Sequence, residues 1–441
     1  MIIDFTVSNF RSIKEPQTIS FEATEDHHLE DYYVVEKGGY RLLKAATIIG
    51  ANASGKTNIL RAYSMFPGLV LQPSVNKSDK FPYTKFALDS DYANKDSSII
   101  VNFLCNNSKY RYEIIFNNDL IVYEKLNRTP FGIHTDHLVF ERNTNKKTML
   151  SKIMLGDQYK NNQKEIDKLT TNLLHNRTVF GAFQWSNVNL PWMLEIVRWI
   201  ASYCMPIISS SSNLNLKEYT SRSIDIHAIT NEQVSALLQK ADVGINGFTT
   251  KKVDIPVSPY YAAELINSNL VSFEMKEQLR KTSTMPDVKV KMMHNSNKGM
   301  VEFDFDEESR GTQRYYELAG ILLTLINGSK IVPIDELEYS MHPDLYEHFL
   351  VTFLTNAKES QIIYTTHMRE FLSDRNLYRD DSVWIAQKDK YGATEVYSIA
   401  DFDKEELMQI ENRYGAYRSG RLGGIPHLGD TYVEPLNSDK Q

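Results

Sequence analysis

The sequence predicts an α/β fold that carries an antiparallel β subdomain and a helical insertion. Three observations predict it. Residues 50–57 form a glycine-rich loop between an apolar strand and a helix-capable segment. A second apolar run, Ile331–Ile334, ends on two carboxylates, Asp335 and Glu336. Between Ser98 and Leu126 apolar and polar residues alternate in runs separated by polar turns, as in sequential antiparallel strands.

Each element follows from its own pattern. Ile3, Phe5 and Val7 alternate with Asp4 and Thr6, the period of a half-buried strand. Ala45–Ile49 is continuously apolar and stops at Gly50. Ser98–Leu104 is one strand and Cys105–Ser108 a turn. Tyr110, Tyr112, Ile114 and Phe116 mark the inner face of the next strand, and the Asn117-Asn118-Asp119 turn leads into Leu120–Leu126. From about Ser151 the composition shifts to Lys, Asn, Gln and Leu at helical spacing, with amphipathic helices over Trp192–Tyr203 and Asn231–Lys240. Ser209–Ser212 and Asn213 read as a loop. Strand-like alternation returns at Asp287–Met293 and Met300–Phe305. The expected division is therefore 1–150 as a first lobe, 151–285 as a mainly helical insertion and 286–441 as a second lobe. Sustained heptads and repeats of 20–50 residues are absent from the sequence, which argues against a long coiled-coil arm.

Bulk properties bound the function. A chain of 441 residues suits two or three units at about 150 residues each. With 42% hydrophobic and 24% charged residues it is not a disordered chain, and Gly 20 with Pro 14 excludes a collagen-like one. The 49 Lys plus Arg against 56 Asp plus Glu give a net charge of −7. That argues against binding nucleic acid by bulk positive charge, while a local basic groove stays open. Cys105 and Cys204 alone build neither a disulfide framework nor a zinc module. The apolar stretch Ala319–Leu323 is far short of the ~20 residues that cross a bilayer. Asp4 stands where a secretory signal would be apolar. The expectation is a cytoplasmic chain with no membrane partner.

The loop Gly50-Ala51-Asn52-Ala53-Ser54-Gly55-Lys56-Thr57 fits G-x-x-x-x-G-K-[ST]. Two glycines let the backbone curl so that its N–H groups face the β- and γ-phosphates of a nucleotide. Lys56 places a cation on them, and the Thr57 hydroxyl is suited to Mg²⁺. The helix-capable Asn58–Tyr63 supplies an N-terminus for the anion. Expected nucleotide contacts run over Gly50, Asn52, Ser54, Gly55, Lys56, Thr57 and Asn58. A chance match in a chain this long is on the order of one per cent.

At the end of the Ile331–Ile334 run, Asp335 is placed to bind Mg²⁺ and Glu336 to orient or deprotonate an attacking water. Pro333 is unusual within a central strand, because it removes a ladder donor. Gln361–Thr365 is a further strand, followed by Thr366 and His367. The 31 residues between Glu336 and His367 leave room for a helix around Asp344–Asn356 and a return to the neighbouring strand. His367 would then stand near the γ-phosphate as a sensor. Glu308–Arg314 precedes a helix with Leu318, Ile321, Leu322 and Leu325 on its apolar face. Ser309 and Gly311 lie at its start, where an anion is favoured.

The order of these motifs resembles the ATPase heads of the ABC/SMC/Rad50 superfamily, and within it the stand-alone OLD/AbiL-type AAA ATPases of bacterial defence systems. The resemblance is carried by Asn9-Phe10-Arg11-Ser12, Gly50–Leu60, Ala241–Ile245, Glu308–Gln313, Asp335–Pro343, Thr365–His367 and the Gly/Arg-rich tail from Tyr414 to Pro426. It implies an ABC/SMC-type P-loop NTPase head that binds ATP and Mg²⁺, with Lys56, Glu336 and His367 catalytic and Thr57 and Asp335 holding the metal. It also implies a homo-oligomer, at least a dimer in which two ATP molecules are sandwiched and each nucleotide is completed by the partner's Ser309–Gly311. The helix start here reads Ser-Arg-Gly-Thr rather than the Ser-Gly-Gly-Gln of transporters, and Leu337–Ser340 lacks a D-loop Asp. The implied role is an anti-phage, abortive-infection-like ATPase controlling a separately encoded effector such as a nuclease. The alternative is a RecF/SMC-like ATPase acting directly on DNA; a transporter subunit ranks third.

An OLD nuclease would add a Toprim domain, for which the 74 residues after His367 are too few at typically ~100 or more per domain. Asp401-Phe402-Asp403 reads as a helix N-terminus rather than a metal pair. Asp304-Phe305-Asp306 reads as an alternating strand with both carboxylates on its wet face. Arg413, Arg418 and Arg421, interleaved with Gly415, Gly420, Gly423 and Gly424, read as a docking or capping segment.

Overall fold

A computed structural model describes residues 1–209, 215–267, 273–403, 405, 407, 410, 412–426 and 429–431. The first strand, β1 (Ile2–Ser8), buries Ile3, Phe5 and Val7 as their alternation predicts, and pairs with β2 (Gln17–Ser20). The next core strand, β3 (Ala45–Ile49), is buried at every position, the mark of a parallel strand covered on both faces. The glycine-rich loop follows it, then α1 (Lys56–Leu71). This helix is longer than the predicted Asn58–Tyr63 and runs on through Pro67. Its buried face of Ile59, Leu60, Tyr63, Phe66 and Val70 outweighs one lost backbone bond.

The meander is β4 (Ser97–Cys105), β5 (Ser108–Phe116), β6 (Ile121–Pro130), β7 (His137–Thr144) and β8 (Ser151–Leu155). With β1 and β2 it forms a seven-stranded antiparallel sheet in the order β8-β7-β6-β5-β4-β1-β2. The β4–β5 turn, Asn106-Asn107, holds both residues at positive φ, which a two-residue hairpin requires and asparagine tolerates. Ser151–Leu155 belongs to this sheet by pairing. The stretch from 151 to 285 thus contains a strand at its start besides its helices.

Two of those helices are α2 (Pro191–Tyr203) and α3 (Asn231–Lys240), each within a residue of the sequence reading. α3 opens with a reciprocal capping box between Thr230 and Gln233. The loop expected at Ser209–Ser212 and Asn213 lies, beyond Ser209, outside the described residues. Then β9 (Gly247–Pro256), β10 (Thr284–Ser296) and β11 (Gly299–Asp304) form a three-stranded antiparallel sheet. Asp304-Phe305-Asp306 departs from its reading. Asp304 caps a short 3-10 turn over Phe305–Glu307, and its N–H donates to Glu307 Oε2 at 2.8 Å. Phe305 is buried against Tyr316, the side that alternation gives it, but from a turn rather than from a continuing strand.

The second lobe runs α4 (Arg310–Asn327), β12 (Ile331–Ile334), α5 (Pro343–Asn356), β13 (Gln361–Thr365), β14 (Val383–Lys388), β15 (Thr394–Ser398) and α6 (Arg413–Arg418). The core sheet is ordered β12-β13-β3-β14-β15, parallel except for the last pair. Pro333 fits because β12 is at the sheet edge. Its carbonyl accepts from Ile208 N at 2.9 Å, so its missing N–H also faces that outer segment. The bonds to β13 fall on alternate residues.

α1 lies between the two sheets, with Tyr63 edge-on to Phe5 at 5.4 Å. Gln361, fully buried at the start of β13, stitches the sheets together. Its Nε2 donates to Ile2 O and Leu43 O, and its Oε1 accepts from Ile2 N and Tyr203 Oη. Among the described residues no helix is long and apolar enough to cross a membrane.

Candidate nucleotide site

The loop after β3 is shaped by its glycines. Gly50 has φ +152° and Gly55 φ +107°. A Cβ on either would stand 2.1 Å from a neighbour, Ala386 O for Gly50 and Thr394 Oγ1 for Gly55. Thr394 Oγ1 lies 2.8 Å from both Ser12 Oγ and the carbonyl of Ser54, and Asn58 Nδ2 donates to Ser12 Oγ at 2.8 Å. Asn52 and Ala53 are exposed at the tip. Lys56 Nζ folds back onto the carbonyls of Gly50, at 2.8 Å, and Ala51, at 3.1 Å. Burial pushes its pKa down, against the upward pull of Asp335, Glu336 and Glu338.

The carboxyl ends of β12 and β13 meet this loop. Thr57 Oγ1 donates toward Asp335, 3.1 Å from Oδ1 and 3.0 Å from Oδ2. Thr365, at the end of β13, donates its hydroxyl to Asp335 Oδ1 at 2.7 Å and accepts from Glu336 N at 2.7 Å. Glu336 sits at φ +52°, which no ordinary strand would give it. His367 Nε2 is 3.8 Å from Glu336 Oε1, and its backbone N–H donates to Glu338 Oε1 at 2.7 Å. Between these groups lies a cavity of about 320 Å³. Asn52–Asn58 forms one wall, and Asp335, Glu336, Thr365, His367 and Lys388 form the other. Gly50 borders an adjoining cavity of about 250 Å³.

The donor set suits a triphosphate with Mg²⁺. A glycine cradle at a helix start offers N–H groups and one lysine. The hydroxyl of Thr57 and the carboxylate of Asp335 are hard oxygen donors already in contact. Among the described residues no cluster of three or more His, Cys, Asp or Glu is placed to hold a metal. A magnesium ion here would therefore complete its shell with phosphate oxygens and water, its usual habit at nucleotides.

Ser309 and Gly311 stand elsewhere. Ser309 is exposed and caps α4, accepting from Thr312 N at 3.1 Å. Neither residue borders its own chain's cavity. A Cβ on Gly311 would come within 3.1 Å of Ser340 O, which places this helix start beside the segment that follows Glu336. Of the tail arginines, Arg413 is buried and ion-paired to Asp380 at 2.9 Å. Sequence reasoning assigned no role to Thr365, Glu338, Ser12, Thr394 or Lys388. Thr365 had a local signal, in the strand-Thr-Thr-His run. Ser12 and Thr394 meet across 382 residues, which no local pattern reports.

A parallel sheet with its phosphate-type loop on the central strand, an acidic strand two places away and an antiparallel sheet packed alongside defines an ABC/SMC-type P-loop NTPase head. Residues 46–373 match the family model described as "AAA domain, putative AbiEii toxin, Type IV TA system", and the chain belongs to that family. No curated protein matches it. Among solved structures it is similar to an SMC head domain from Thermotoga maritima, at 11% identity, covering 90% of this chain and 98% of that one with a TM-score of 0.36. It is also similar to an SmcHead bound to the C-winged helix domain of ScpA, at 12% identity, 92% and 99% coverage and a TM-score of 0.41. A third is an Smc head with an extended coiled coil bound to the C-terminal domain of ScpA derived from Pyrococcus furiosus, at 12% identity, 93% and 98% coverage and a TM-score of 0.41. Likeness at this level adds nothing to what the strand order establishes.

Proposed function

We propose that the chain binds and hydrolyses ATP, that ATP joins two copies of it, and that the pair controls a separately encoded effector, such as a nuclease, in a bacterial anti-phage system. The observation that carries the ATPase reading is the convergence of Lys56, Thr57, Asp335, Glu336 and His367 on one cavity from three neighbouring strands. Lys56 is the cation for the phosphates. Thr57 and Asp335 hold Mg²⁺, which when bound neutralises charge on the transferred phosphoryl group. Glu336 reaches the cavity from a fixed backbone and orients or deprotonates water, and His367 beside it senses the γ-phosphate. Pairing across ATP is supported by the helix start with its exposed Ser309 and half-buried Gly311, which lies outside its own chain's cavity and is free to complete another's.

The defence role rests on the family, whose description names a toxin of a type IV TA system, and is an argument by kinship. Purified chain should hydrolyse ATP, and Lys56→Ala should abolish it. The operon neighbour should co-purify with the wild type, and cells carrying Lys56→Ala should lose protection against phage. ATPase activity stimulated by DNA, with steeply salt-dependent DNA binding, would instead favour the RecF/SMC-like alternative.

A further inference from the structure

The glycine-rich tail joins the site. Ala51 N, in the first limb of the P-loop, donates to Gly424 O at 2.9 Å. The same peptide plane presents Gly50 O to Lys56 Nζ at 2.8 Å. The plane is therefore held on both edges, by the tail on one side and the lysine on the other. Gly424 O also accepts from Tyr417 Oη at 2.9 Å, and Gly424 N donates to Gln387 Oε1 at 3.3 Å. Tyr397 Oη donates to Leu422 O at 2.9 Å. Further back, Arg413 fixes the start of α6 to Asp380. Tyr417, Pro426, His367 and Arg369 border the 250 Å³ cavity together with Ile49–Asn52. One segment thus reaches both the P-loop and the His367 loop.

From this we infer that the tail Arg413–Gly424 is a positioning element for turnover: it sets the first limb of the P-loop against the His367 loop, so that Lys56 and His367 act on one phosphate in register. The inference rests on the ATPase reading above. Gly424 is the sensitive point. It has φ +68°, and a Cβ there would stand 2.6 Å from Ile385 Cγ2, so a larger residue must lift the tail from the loop. Tyr417→Phe is the milder change, removing one hydroxyl and leaving the ring in place. The N–H groups at 52–57, which cradle phosphates, are untouched by either. Affinity should therefore survive while chemistry suffers.

The test measures ATP turnover and binding of a fluorescent ATP analogue for the full-length wild type, Gly424→Ala and Tyr417→Phe, with thermal unfolding of each. The expected result is a kcat lowered roughly 10–100-fold in Gly424→Ala and by a smaller factor in Tyr417→Phe. Analogue affinity should change by less than about threefold in both, with a folded protein in each case. Wild-type turnover with kcat unchanged in the folded variants would overturn the inference, as would a loss of kcat matched by an equal loss of affinity. Should Gly424→Ala fail to fold, Tyr417→Phe decides alone by the same split. A wild type that binds no ATP would overturn the ATPase reading itself, and this inference with it.

Discussion

Glu336 is placed by its backbone. Its N–H is held by Thr365 Oγ1, and the left-handed turn at φ +52° aims its side chain away from the strand direction into the cavity. Replacing the carboxylate by an amide keeps that geometry and removes the proton acceptor. Glu336→Gln should lower kcat by about 10²–10⁴-fold with ATP still bound, checked by single-turnover hydrolysis beside equilibrium binding. Thr365 acts one step back, since its hydroxyl orients Asp335 and Glu336 together. Thr365→Val conserves volume and should weaken Mg²⁺-dependent activity about 10–100-fold, visible as a raised Mg²⁺ requirement in turnover assays. At this scale the sequence is legible where chemistry is contiguous. Gly50–Thr57 is a run whose spacing alone fits phosphate chemistry, and Asp335-Glu336, weak by itself, gains its meaning beside that loop. Thr365 and Glu338 act through contacts made only after β12 and β13 lie side by side, and Ser12 reaches Thr394 from the opposite end of the chain.

At the scale of elements, the alternation of the meander fixes which faces are buried, but it does not disclose what ties the sheet to the residues that follow. That tie is a fully buried pair. Glu124 on β6 accepts from Arg142 on β7 at 3.2 Å, from Tyr112 Oη and from Val179 N. Arg142 also donates to the carbonyls of Leu174, His175 and Arg177. Five further groups, on β5 and in residues 174–179, depend on these two side chains. Arg142→Ala strands a buried carboxylate and should cost about 3–5 kcal/mol, read as a lowered urea midpoint for the loss of near-ultraviolet ellipticity. The pattern hides this because a charged residue at a strand position reads as an outward one. At Asp304–Asp306 the carboxylates do face outward, but capping ends the strand at Asp304, which alternation alone does not reveal. Pro333 reads as an anomaly only until β12 is known to be an edge.

For the whole molecule, the decisive property is how two heads would meet. Ser309 and Arg310 are exposed at the start of α4, an 18-residue helix whose N-terminal N–H groups carry a partial positive charge. A single chain leaves that charge facing solvent, and leaves Glu336 and His367 beside the cavity partly exposed. An anion held in one head and capped by the other's helix start would satisfy both at once, and each bound nucleotide would then favour the pair by mass action. Glu336→Gln, which holds ATP without consuming it, should run as a dimer in light scattering with ATP and Mg²⁺, and as a monomer once Mg²⁺ is chelated. Adding Ser309→Arg puts a long side chain in the contact while leaving the cavity of its own chain intact. The double variant should bind the ATP analogue as tightly as Glu336→Gln does, yet show dimerisation weakened at least about tenfold, or some 1.4 kcal/mol. A dimer that persists in the double variant would mean that the two heads meet through another face. Loss of ATP binding in that variant would mean that Ser309 serves its own chain's nucleotide.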